Sequence, residues 1–108
     1  MQISFTKKAD KVCNESKEMV IVLGAECARK LQTRLYELST APNMACIPAH
    51  ARLHGLKGNR KGQFAVDLDQ QFRLVFVPDC EKLPLKPDGG LDLPQVSSIL
   101  VLEITDYH

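Results

Sequence analysis

The sequence has no tryptophan and only 6% aromatic residues, which leaves few exposed π faces for the stacking platforms of single-stranded nucleic-acid binders. An excess of one charge is missing as well. Fourteen Lys and Arg stand against thirteen Asp and Glu, so a polyanion must be held by a local patch rather than by the field of the whole molecule. The longest apolar run, Met19 to Leu23, falls far short of a bilayer. The N-terminus also lacks a basic region leading into an apolar stretch and a small-residue cleavage site, so neither membrane association nor secretion is expected and the cytoplasm is the expected location. Cys13, Cys27, Cys46 and Cys80 form no Cys-x-x-Cys pair, which argues against a zinc knuckle or redox motif and for reduced, small apolar residues. Neither Gly-x-Gly-x-x-Gly nor the Gly-Lys-Ser/Thr ending of a Walker loop occurs, and no cofactor is expected.

What remains is 108 residues with 44% hydrophobic content, enough for one domain with its own core. Ile3 and Phe5 alternate with polar neighbours, as in an edge strand. Ala9, Val12, Ser16, Met19, Val20 and Leu23 recur at three- and four-residue steps, which predicts one helix from about Lys8 to Gly24. Cys27, Ala28, Leu31, Leu35 and Leu38 predict a second, stopped by Pro42. The period then changes to two. Phe64, Val66 and Leu68, a turn near Gln70, and Phe72, Leu74 and Phe76 predict an antiparallel hairpin. The stretch from Ile99 to Thr105 reads as an inner strand, and residues 78 to 98, rich in proline, read as an excursion. The expected class is α+β, two N-terminal helices packed on a small antiparallel sheet.

Chemistry concentrates in three places. Arg52 to Lys61 holds four cations and His54 without a carboxylate, and Gly55, Gly58 and Gly62 let the backbone approach phosphate oxygens; an ordinary solvated basic loop has the same composition. Arg73 is the only cation in the strand from Phe72 to Val77, and it either pairs with Asp67, Asp69 or Asp106 across the sheet or grips a phosphate with its fork. Asp106, Tyr107 and His108 follow directly on an apolar strand, where a chance polar ending is the competing reading. His50 and His54 have the spacing of a helical zinc pair, but Pro48 and Gly55 oppose a helix and no third ligand accompanies them, so no metal site is expected. Imidazoles, a carboxylate, a phenol and cations suffice to cut RNA, whose 2′-hydroxyl is a built-in nucleophile.

The block Arg52 to Phe64, the strand Phe72-Arg73-Leu74-Val75-Phe76 and the closing Ile104-Thr105-Asp106-Tyr107-His108 together resemble the HigB-type killer toxins of the RelE/ParE superfamily, in order and in spacing. The resemblance implies a RelE-like fold and a ribosome-dependent endoribonuclease that cleaves messenger RNA in the ribosomal A site without a metal. It implies a helix-turn-helix antitoxin of the HigA type, which also binds operator DNA. By position, His54, Lys57, Arg73, Asp106, Tyr107 and His108 match the catalytic residues, and Arg52, Arg60 and Lys61 are expected to contact RNA or the ribosome. A non-catalytic RNA-binding module and a protein that only binds a partner are the alternatives. The first would leave the terminal Asp-Tyr-His idle.

Overall fold

In the computed structural model, which describes residues 1–106, the chain runs β1 (Gln2–Phe5), α1 (Lys7–Asn14), α2 (Ser16–Leu23), α3 (Ala25–Thr40), β2 (His54–Gly55), β3 (Phe64–Asp67), β4 (Phe72–Pro78) and β5 (Ser98–Asp106). The strands form one sheet in the order β1-β5-β4-β3-β2. The α+β class agrees with the sequence, and three details refine it. β1 lies parallel to β5, from Gln2↔Ser98 to Phe5↔Val101, so the sheet is mixed. No hairpin links these two strands, and nothing local dictates their direction. β2 is a strand the sequence reading missed, because two residues carry no period. The helix expected from Lys8 to Leu23 is two helices, separated at Glu15, which takes an extended conformation with φ −115° and ψ 110°.

The break has a visible consequence. Thr6 Oγ1 accepts the Ala9 N–H at 3.2 Å to start α1, and Asn14 closes it by donating to Asp10 at 2.8 Å. Restarting at Ser16 rotates α2 so that Met19 and Leu23 are buried while Val20, Ile21 and Val22 stay exposed. The apolar stripe that reads as continuous in sequence is therefore two shorter faces. α3 follows its expected pattern, with Cys27, Ala28, Leu31 and Leu38 buried. No helix among the described residues is long and apolar enough to cross a membrane.

The core lies between the helices and one face of the sheet, where Leu31, Leu38, Met44, Val66, Leu74, Phe76, Ile99 and Val101 are fully buried. Each large side chain contributes on the order of 1.5–3 kcal/mol by leaving water. β5 serves this core on both sides of an irregularity. Phe76 pairs with Val101 but Val75 pairs with Glu103, so Leu102 is an extra residue in the ladder. Such a bulge shifts the alternation by one. Ile99 and Val101 point to the helices before it, Ile104 after it, and Glu103 and Thr105 are turned to the opposite face. Thr6 Oγ1 donates to the Leu102 carbonyl at 2.8 Å, so the residue that starts α1 also occupies an acceptor at the bulge. Residues 79–97 make the expected excursion, with an antiparallel bridge between Leu85 and Leu91 and a 3-10 turn at Leu93–Gln95.

Candidate functional site

Strand register defines the face turned away from the helices. His54 pairs with Ala65, Ala65 with Val75 and Val75 with Glu103, which makes one row across β2 to β5. Two residues further along, Asp67 pairs with Arg73 and Arg73 with Thr105. Directly opposed residues share a face. The open face thus carries an imidazole, a guanidinium, two carboxylates and a hydroxyl within two rows.

A cavity of about 500 Å³ opens here, lined by Arg52, Leu53, His54, Asp67 and Arg73. Arg52 reaches it through strain. It ends the 3-10 turn Ala49–Ala51 in the left-handed region, φ 58° and ψ 53°, the one non-glycine of positive φ among the described residues. Holding a side chain there costs on the order of 1–2 kcal/mol. The turn aims its guanidinium at Asp67 Oδ2, 3.4 Å away, and its carbonyl at His54 Nδ1, 2.7 Å away. A carbonyl only accepts, so Nδ1 carries the proton and Nε2 is the position where His54 accepts or releases one. Arg73 rises half-buried from the middle of the sheet, a rigid base for its fork.

The remaining candidates are distributed around this cavity. Lys57 and Lys61 are exposed on the bend between β2 and β3, outside the lining of the cavity. Arg60, on the same bend, donates from Nη2 to Glu103 Oε2 at 2.7 Å and from Nη1 to Gln63 Oε1 at 2.7 Å. Asp106 ends β5 opposite Phe72, which alternation assigns to the helix side, and its carboxylate accepts from Gln71 Nε2 at 2.9 Å. Tyr107 and His108 lie outside the described residues. The structure therefore gathers Arg52, His54 and Arg73, and leaves Lys57, Lys61 and Asp106 at the periphery.

Two features had no clear signal in the sequence. Behind the cavity, Glu37 on α3 is bound by Arg34 Nη1 at 2.5 Å and by His50 Nε2 at 2.6 Å, while Arg34 Nε donates to the Asp67 carbonyl at 2.8 Å. This cluster ties α3 to the start of the basic segment and to the end of β3. His50 is taken up by Glu37 rather than facing His54. Burial pushes the Glu37 carboxyl up, but hydrogen bonds from His50 and Arg34 outweigh it and hold the group below its ordinary value. The second feature is Glu103, held low by Arg60 first and by Lys8, at 3.1 Å, against the opposing effect of burial. A lone charge within Ser98 to Thr105 was the available hint. At the hairpin turn, burial again opposes ionisation of Asp69, and the Phe72 and Gln71 N–H groups bring it below its ordinary value.

No family model matches the chain, and no curated protein sequence does. Solved structures resemble it over nine-tenths or more of their length. A YoeB/ParE toxin from Agrobacterium tumefaciens superposes with a TM-score of 0.61 at 13% identity, covering 100% of both chains. YafQ from E. coli gives 0.60 at 13% identity, over 97% of this chain and 91% of that one. A chain of the YoeB–YefM complex from Staphylococcus aureus gives 0.55 at 14% identity, over 100% of this chain and 97% of that one. The chain thus has the fold of these toxins.

Proposed function

We propose that this chain is the toxin of a type II toxin–antitoxin pair of the RelE/ParE superfamily and of the HigB type, one RelE-like domain over residues 1–108. In this reading it acts in the cytoplasm as a metal-independent endoribonuclease that cuts messenger RNA in the ribosomal A site. The observation that carries the reading is the cavity in which an Nδ1-protonated His54, Arg52 and Arg73 converge on the open face of a toxin-type fold.

In this chemistry the 2′-oxygen attacks the adjacent phosphorus, the P–O5′ bond breaks, one proton leaves the 2′-hydroxyl and one is delivered to the 5′-oxygen. Arg73 and Lys57 stabilise the charge of the phosphorane, which in a partly dry site contributes several kcal/mol. His54, through Nε2, shares the acid and base roles with Asp106 and His108, and Tyr107 orients the scissile nucleotide. For Asp106 to take part, the end of β5 must present its carboxylate towards the RNA rather than towards Gln71. Arg52 and Lys61 flank the RNA backbone or ribosomal RNA. Arg52 does so from a strained backbone that holds its side chain in place before substrate arrives. DNA, lacking the 2′-hydroxyl, is not a substrate.

The partner is a helix-turn-helix antitoxin of the HigA type, which silences the cationic face and links the complex to operator DNA. Complexes of the fold neighbour YoeB with YefM support an antitoxin partner. Induced expression tests the whole reading. Growth should stop, and new 5′ ends should appear in translated messages at ribosome-occupied positions. A His54→Ala/Arg73→Ala double variant that folds and still arrests growth would contradict it.

A further inference from the structure

Arg60 occupies the centre of the glycine bend. Its N–H meets the Lys57 carbonyl at 3.2 Å, its carbonyl accepts from the Gln63 N–H at 2.9 Å, and its Nη1 donates to Gln63 Oε1 at 2.7 Å. Nη2 leaves the bend altogether and reaches Glu103 Oε2 at 2.7 Å. Glu103 sits on β5, in the row that runs through Val75 and Ala65 to His54. Strands lie about 4.8 Å apart, so a side chain from the β2–β3 connection meets β5 only by spanning roughly 10 Å of the open face. Ala65 and Val75 belong to this row, on the side without helices, and both are completely buried.

We propose that Arg60 and Glu103 form a brace that lays the bend across the open face and fixes where Lys57 projects. Arg60 is then a positioning residue rather than an RNA contact. The brace has a second effect. Glu103 stands two residues from Thr105, the partner of Arg73, which is about 7 Å along the strand. Its paired charge is thereby kept from repelling a phosphate held by Arg73. Lys8 adds a third arm from α1, but its side chain is 73% exposed and its share is small.

The consequence for cleavage rests on the nuclease reading; the brace itself is tested without RNA. Amide exchange is measured at Leu56, Lys61 and Gln63, whose N–H groups bond within the bend. Arg60→Ala and Glu103→Gln should each speed exchange about tenfold without a matching fall in the melting temperature. The exchanged pair Arg60→Glu/Glu103→Arg should restore it to within about threefold of wild type. Unchanged exchange in Glu103→Gln, or no recovery in the exchanged pair, overturns the brace. In single-turnover cleavage the single variants should lose rate more than RNA affinity, and the exchanged pair should regain rate. If Arg60 instead grips phosphate, the exchanged pair restores exchange yet binds RNA more weakly, with a shallower salt dependence, and stays inactive; that overturns the positioning role. A wild-type chain that cuts no RNA refutes the nuclease reading while exchange still decides the brace.

Discussion

Arg73→Ala is the substitution whose effect follows most directly from the open face. The cavity holds two guanidinium groups, of Arg52 and Arg73, against the single carboxylate of Asp67. Asp67 and Arg52 face one another at 3.4 Å, and Arg73 adds a second guanidinium to the same lining. Its removal takes one positive charge and a two-pronged donor from the place where a phosphorane would gain charge. A unit pair 4 Å apart at an effective dielectric constant of about 20 is worth roughly 4 kcal/mol. Loss of a single preorganised donor costs about 2.7–4 kcal/mol in comparable sites, or 10²–10³ in rate. We therefore expect single-turnover cleavage on programmed ribosomes to fall by about 10²–10³, with kcat and kcat/KM falling together. Arg73→Lys keeps the charge but not the planar fork, and should recover roughly one power of ten. A well-folded Arg73→Ala protein that cleaves within threefold of wild type would refute the assignment.

Other consequences concern the end of β5, acid stability and the thiols. Asp106→Asn and His108→Gln should each abolish cleavage and growth arrest with a nearly unchanged melting curve; full toxicity of the double variant would remove both from the mechanism. Glu37, Asp69 and Glu103 are all held below their ordinary values in the fold, so their stabilisation is complete above those values and disappears as pH falls through the lower, folded ones. Glu37→Gln should lower the melting temperature at pH 7, flatten its decline below about pH 4.5, and converge on wild type in strong acid; a parallel curve would show that the cluster adds no acid sensitivity. Burial pushes the Cys13 thiol up to about 11, and burial with the Asp69 hydrogen bond takes Cys27 to about 12, whereas Cys46 is exposed. Iodoacetamide at pH 8 should modify Cys46 first and spare Cys13 and Cys27 in the native protein. Equal labelling of all three would contradict the packing.

Much of the fold was legible because its periods are strong. Cys27, Leu31 and Leu38 mark one helical face, and the two-residue alternation of large apolar side chains from Phe64 to Phe76 marks a hairpin. The interruption at Glu15 was not legible, since Ser16 fits a helical step as well as it fits a new start. Nor was the bulge at Leu102. The run Ile99 to Ile104 is apolar at nearly every position, so a one-residue phase change leaves no trace in composition while deciding that Glu103 and Ile104 face opposite ways.

The site divides in the same manner. His54 and Arg73 stood out, a histidine among glycines and cations and a lone cation in an apolar strand, and the structure gathers them with Arg52. What was hidden depends on contacts between distant segments. The Glu37–His50 pair spans 13 positions and the Arg60–Glu103 pair 43, and no local pattern announces either. Arg60 looked like a free cation of the basic loop because its neighbours in sequence include no carboxylate; its partner arrives with the sheet.

The chemistry of the cut ends tests the central claim most directly. Ribosomes programmed with a defined message and treated with this protein should yield a 5′-hydroxyl on the downstream fragment and a 2′,3′-cyclic phosphate upstream, and a single 2′-deoxy substitution at the nucleotide before the cut should stop the reaction. Downstream 5′-phosphates, or undiminished cutting of the deoxy-substituted message, would contradict attack by the 2′-hydroxyl.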